Sequence, residues 1–175
     1  MPCTLATGRA LPCKDSVGGI TAVWFCDYGQ LGNLTISGAE LTAISGTPDL
    51  YRYDVKGNSS MEQTINADRA NGTAFYTQTL NLTLTKLDAA TATELIDIVK
   101  ARPHVFVEDY NGNYFALGVT HGCEVTGGTI VTGAAMGDLS GFTLTLTGEE
   151  TLPALFTTST VVTDNESTTQ IDPSA

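Results

Sequence analysis

The fold is decided by residues 88–118, DAATATELIDIVKARPHVFVEDYNGNYFALG, which join a helical pattern to a hairpin pattern. Asp88 is of the type that caps the first amides of a helix. The apolar residues after it recur at the spacing of one helical face: Ala92, Leu95, Ile96 and Val99. They predict about four turns of amphipathic helix. Pro103 ends this helix, because the residue before a proline avoids the α region.

The second half of this stretch, residues 104–118, predicts a β-hairpin laid against the helix. Apolar and polar residues alternate on both sides of Asn111-Gly112. This dipeptide favours a two-residue turn, since glycine adopts positive φ without strain.

The rest of the chain is rich in strand patterns. They occur at residues 20–26, 33–36, 40–44, 49–55, 60–67, 73–85, 124–126 and 141–147. The Gly- and Thr-rich residues 127–137 predict a mobile loop. Many strands with one helix indicate a mainly β fold, a β-sandwich or barrel with one flanking α-helix and a long hairpin.

The longest predicted strand is residues 73–85. Its leucines, Leu80, Leu82 and Leu84, alternate with Thr and Asn, so one side can meet a core and the other water. A strand of this length spans roughly 40 Å, which is more than a small sandwich needs. We therefore expect part of its hairpin to pair with another subunit.

Three regions are expected along the chain. Residues 1–19 contain Pro and Gly-Gly and predict an N-terminal arm. Residues 20–156 form the β-rich domain. Residues 157–175 are rich in Thr, Ser and Asp, with few large apolar residues, and predict a flexible tail.

The sequence also indicates the cellular compartment in which the chain is made. No apolar run is long enough for a membrane helix, and the N-terminus lacks a signal-peptide pattern, so we expect synthesis in a cytoplasm without export. The four cysteines are then expected to be reduced: Cys3, Cys13, Cys26 and Cys123. A disulfide between Cys3 and Cys13 in a mature particle outside the cell is left as an open alternative.

The charge is unevenly distributed. The net charge is −11, and all eight basic residues lie at or before Arg102. The first 102 residues therefore carry 8 − 10 = −2, and the remaining residues carry −9. Such a chain has no Lys/Arg cluster with which to neutralise phosphates. Its acidic surface serves solubility, or it repels DNA that must slide past.

One motif resembles a metal loop. The spacing of Asp109, Asn111 and Asn113 matches the start of a calcium loop. However, Tyr114 stands where that loop needs Gly, and Thr120 where it needs Glu, so a hairpin turn is the better interpretation.

No other pattern indicates catalysis. Four residues are considered as metal ligands, but their spacing matches no metal motif: His104, His121, Cys26 and Cys123. No nucleophile elbow or phosphate loop is present in the sequence either. The sequence therefore predicts no catalytic, cofactor-binding or metal-binding residue, no cofactor, and a non-enzymatic protein.

Four segments resemble those of one family. They are PCKDSVGGI at residues 12–20, NGTAFYTQTL at 71–80, VEDYNG at 107–112 and GDLSGFTLTLTGEE at 137–150. In this order, with the helix between the second and third, the chain resembles the tail tube (major tail) proteins of bacteriophages over most of residues 1–156.

This resemblance implies a virion structural protein made in the bacterial host cytoplasm. Such subunits form stacked rings, typically homohexameric, around a channel that DNA traverses without specific binding. Their partners are copies of themselves and other phage tail proteins, with no membrane. By analogy, residues 61–67 and 73–85 line an acidic channel, and residues 1–19 and 127–137 contact the next ring.

Two other hypotheses remain open. One is another virion component, because head-to-tail connectors, tail terminators and capsid decoration proteins share small β-rich folds. The other is a stand-alone β-sandwich module that binds glycan or protein. Persistent monomers at high concentration would favour that module over a tube.

Overall fold

The computed structural model describes residues 7–55 and 58–172. Its elements are β1 (Ile20–Cys26), β2 (Leu34–Ser37), β3 (Glu40–Ile44), β4 (Tyr51–Asp54), β5 (Ser60–Asp68), β6 (Thr73–Thr85), α1 (Ala89–Lys100), β7 (His104–Asp109), β8 (Tyr114–Leu117), β9 (Glu124–Val131), β10 (Gly141–Glu150), β11 (Leu155–Thr157) and α2 (Ser159–Thr163). The predicted mainly β fold with a flanking helix is confirmed.

The strands form two sheets. The larger has seven strands in the order β2-β3-β11-β8-β7-β1-β4, and the smaller has four in the order β5-β6-β10-β9. Neighbouring strands are antiparallel, except that β11 runs parallel to β3. In the smaller sheet, β6 pairs along ten residues with β10 and along nine with β5.

The main core lies between the two sheets. Its four-stranded side is supplied by the buried leucines of β6 and by alternate residues of β10: Phe142, Leu144 and Leu146. The predicted alternation of β6 is confirmed, because Leu80, Leu82 and Leu84 are all buried. Their partners on the seven-stranded sheet come from β1, β7 and β8.

A second core covers the opposite face of the seven-stranded sheet. Trp24 of β1 and Phe106 of β7 are buried there, beside Leu41 and Leu50. Strands β1 and β7 are therefore covered on both faces, which explains their nearly continuous apolar runs. The seven-stranded sheet is the middle layer of the fold.

The prediction of a flexible tail from residue 157 is wrong for its first part. Helix α2 packs Val161 and Val162 into the second core, with at most 6% of either side chain exposed. After it, the amide of Leu50 donates to Asn165 O, and the amide of Ser167 donates to Leu50 O. Two apolar residues are enough to hold α2 in place, because other elements supply the rest of the second core.

Helix α1 begins as predicted, with the Asp88 carboxylate accepting a hydrogen bond from Thr91 N at 2.8 Å. It is three turns long rather than four, and its core-facing side is Leu95 with Ala92 and Ile98. Ile96 and Val99 were predicted on the core face, but about half of each side chain is exposed. The reason is that the helix flanks the gap between the sheets and turns this side toward β9.

The β7–β8 turn also differs from prediction. Asp109 N donates to Asn113 O, so the loop holds three residues and not two. Only Gly112 adopts positive φ, at +78°. The Asp109 carboxylate sets this geometry by accepting hydrogen bonds from the amides of Asn111 and Asn113. The calcium-like spacing is thus that of a hairpin turn.

The predicted mobile loop at residues 127–137 is wrong in its first half, since strand β9 continues to Val131. A bulge beside Thr145 fits the extra residue, and a Cβ on Gly128 would lie 2.5 Å from Thr143 O. Glycine therefore permits close pairing here rather than breaking the strand.

The described part of the N-terminal arm is residues 7–19. It contains no helix or strand, and all its residues are exposed. Val17 N donates to the side chain of Asn111, which donates back to Val17 O. Cys3, and with it the possible bridge to Cys13, lies outside the described residues.

Candidate functional site: two free edges and one polar face of a sheet

His104 on β7 has a structural role. Nδ1–H of His104 donates to Gly118 O at 2.6 Å, and its Nε2 accepts from Gly29 N at 3.0 Å. Both nitrogens are satisfied only in the neutral ring. Burial lowers the pKa of His104, and the hydrogen bond to Gly118 only partly offsets this. His104 therefore ties two loops together.

A buried carboxyl group holds the loop between β8 and β9. Oε1 of Glu150 accepts from the amides of Thr120 and His121 at 2.9 and 2.7 Å, and Oε2 lies 3.0 Å from His121 Nδ1. Gln78 joins the same loop, since its Oε1 accepts from Gly118 N. These side chains therefore tie the loop to β6 and β10 through the amides of Gly118, Thr120 and His121.

The cysteines and histidines considered as metal ligands are not brought together. Among residues 7–55 and 58–172, no three His, Cys, Asp or Glu side chains are grouped so as to hold a metal ion. Burial raises the pKa of Cys26 and of Cys123 to about 12, which keeps both as thiols at neutral pH.

The outward face of the four-stranded sheet is a regular polar surface. Every second residue of β6 and β10 points away from the core, and these residues are mostly hydroxyl or amide side chains: Thr77, Thr79, Asn81, Thr83, Thr85, Thr143, Thr145 and Thr147. They form side-chain bonds across the strands, such as Thr145 Oγ1 to Asn81 Oδ1 at 3.1 Å.

Only acidic charges occur in these four strands. The outward face carries four carboxylates, Glu62, Asp68, Glu124 and Glu149, and no Lys or Arg lies within β5, β6, β9 or β10. Glu62 and Glu124 share one cross-strand row, through Thr79 and Thr147. Arg102, which precedes β7, approaches Glu124 at 3.6 Å. Two of the nine acidic residues after Arg102, Glu124 and Glu149, thus lie on the same face as the long hairpin.

Both edges of this sheet are free among the described residues. No described strand pairs with the outer edge of β5 or of β9. These edges are nine and eight residues long and contain neither Pro nor Lys. By contrast, the edge strands of the seven-stranded sheet, β2 and β4, have four residues each. Short edges are a common protection against pairing, and the smaller sheet lacks it.

An apolar groove runs along the β9 edge. Helix α1 supplies Ile96 and Val99, strand β9 supplies Ile130, and Phe142 and Leu144 lie at the bottom. Its volume is about 500 Å³. The sequence did not indicate this groove, because Ile96 and Val99 match the spacing of a buried helical face, and only the structure shows that they are exposed.

No helix formed by the described residues is both long and apolar enough to cross a membrane.

No protein-family model, curated protein or solved structure matches this chain.

Proposed function

We propose that this chain is a non-enzymatic structural subunit that assembles with itself into rings, stacked as a phage tail tube around a channel for DNA. The observation that carries the proposal is the four-stranded sheet. It combines two long free edges with an outward face of hydroxyl groups and carboxylates. This combination suits a repeating wall better than a closed monomer.

Strand direction supports closure into a ring. Successive strands of the sheet alternate in direction, so β5 and β9 run antiparallel to each other. Copies related by rotation keep these directions, and β5 of one copy meets β9 of the next as an antiparallel pair. An even number of strands per copy therefore lets an antiparallel wall close without a mismatch.

Strand spacing sets a lower limit on the number of copies. With strands about 4.8 Å apart and tilted by about 40°, twelve strands from three copies give a backbone diameter of about 24 Å. Inward side chains remove about 10 Å of that, which leaves too little room for duplex DNA about 20 Å wide. Six copies of four strands make 24, about 48 Å across between backbones. By the same arithmetic, sixteen strands from four copies give about 32 Å between backbones, so a ring of four or more copies, six included, accommodates DNA and a ring of three does not.

The charge of the face supports passage rather than retention. Phosphates are held by Lys and Arg, which these four strands lack. The carboxylates repel the DNA backbone, so a duplex inside the ring is not retained. With this function we also propose a place in the virion, with other tail proteins as partners.

The test is negative-stain electron microscopy with sedimentation velocity over a concentration series. We expect rings or tubes of uniform diameter with a central channel. Chains that stay monomeric at millimolar concentration would refute the proposal and favour a stand-alone binding module.

A charge variant tests which face lines the channel. Asn81→Lys with Thr85→Lys puts two cations per copy on the outward face, where both positions are exposed. The assembled variant should bind a fluorescent DNA duplex at low salt. A control with the same charge, Thr151→Lys with Thr163→Lys, should not. Equal DNA binding by both variants would show that this face does not line the channel.

A further inference from the structure

The two free edges carry matching apolar side chains. Ile65 on β5 and Ile130 on β9 are each 71% exposed. Cross-strand pairing places both on the core side of the sheet, since Ile65 pairs with Tyr76, next to buried Gln78, and Ile130 pairs with buried Phe142. Beside Ile130, Ile96 and Val99 of α1 are 54% and 53% exposed. Each edge therefore exposes apolar surface on the same side.

We propose that the groove between α1 and β9 receives the β5 edge of a second copy, with Ile65 seated against Ile96, Val99 and Ile130. The inference rests on the proposed function and names the contact that joins two copies. A strand added to β9 continues the pleat, so its core-side residues point to the groove side. On β5 these residues are Met61, Gln63, Ile65 and Ala67.

Charge complementarity favours this occupant over another segment. Lys100 lines the groove, and Arg102, which precedes β7, forms an ion pair at 3.6 Å with Glu124, the first residue of β9. The β5 edge carries Glu62 and Asp68 and no basic residue. The ammonium group of Lys100 attracts the β5 carboxylates, which steers the two edges together and disfavours pairing of two β5 edges. The contact is heterologous, as ring closure requires.

Cross-linking tests the contact directly. Cys3 and Cys13 are first replaced by Ser, because Cys13 is exposed, whereas the buried Cys26 and Cys123 remain. Ile65→Cys is then combined with Val99→Cys, and the assembled protein is treated with a short bismaleimide reagent. We expect a ladder of covalent oligomers that ends at the ring. The control pairs Phe75→Cys with Val99→Cys, since Phe75 lies on the outward face of the same hairpin. It should give no ladder.

A charge substitution separates this contact from assembly as a whole. Ile65→Asp should raise the concentration needed for half assembly at least tenfold, while the monomer melts as the unchanged protein does, because Ile65 is mostly exposed. Ile36→Asp on β2, which is 38% exposed, is the control and should assemble normally. Rings with no Ile65 cross-link and an unaffected Ile65→Asp variant would overturn this contact but leave the proposed function standing. Absence of rings under all conditions would overturn both.

Discussion

Replacing Val161 and Val162 by alanine should destabilise the whole protein, although both lie in a region whose composition is typical of a tail. The two valines close the second core beneath α2, beside Trp24 and Phe106. The double variant removes buried methyl groups and leaves the backbone and charges unchanged.

The expected loss follows from burial. Each Val→Ala change removes the equivalent of two buried CH₂ groups, worth about 1.6 kcal/mol. The cavity left behind adds to this, and the better helix propensity of alanine returns about 0.5 kcal/mol per residue. The free energy of unfolding should therefore fall by about 2–3 kcal/mol. For a chain of this size, that lowers the melting temperature by roughly 4–12 °C.

Thermal unfolding followed by circular dichroism measures this shift. The matched control is Ser159→Ala with Thr163→Ala, because both side chains lie exposed on the same helix. The control should melt at or slightly above the temperature of the unchanged protein. If the double valine variant melted within about 1 °C of the control, α2 would not be part of the cooperative fold.

Two smaller predictions concern pH and backbone strain. The folded protein keeps His104 neutral below its ordinary pKa of 6.5, whereas the unfolded chain takes up the proton at that value. The free energy of unfolding, measured in urea, should thus fall as pH drops below about 6.5, and His104→Gln should flatten that slope. Gly112→Ala should cost about 1–2 kcal/mol, because φ is +78° there and no atom crowds the position. Gly127→Ala, equally uncrowded but without positive φ, should cost nothing in the same urea titration.

Local patterns in the sequence predicted the elements that depend on local forces. Helix α1 follows from the Asp88 cap and the proline at 103, and β6 follows from its alternating leucines. Strand β9 was predicted too short because glycine is depleted in strands. The pairing of β9 with β10, which involves residues distant in sequence, explains Gly128. A side chain at this position would collide with the backbone of β10, so glycine is the residue that fits.

The groove shows a different limit of sequence patterns. Ile96 and Val99 satisfy the periodicity of a buried helical face, and periodicity does not distinguish residues in a core from residues on an exposed apolar surface. Burial in the monomer separates them, because Leu95 is covered and these two are not. Helix α2 was missed for a different reason, because its five residues are too few to show any period.

The contrast between the two sheets supports the assembly proposed above. A monomer can protect its sheet edges by shortness, Lys or Pro, and β2 and β4 are short. Strands β5 and β9 have none of these protections, and each carries an isoleucine that is mostly exposed. Leaving both edges of one sheet open risks disordered aggregation unless a specific pairing competes with it. In the proposed ring, antiparallel direction, nearly equal length and the attraction between Lys100 and the β5 carboxylates would supply that specificity, and closure of the ring would cover both edges.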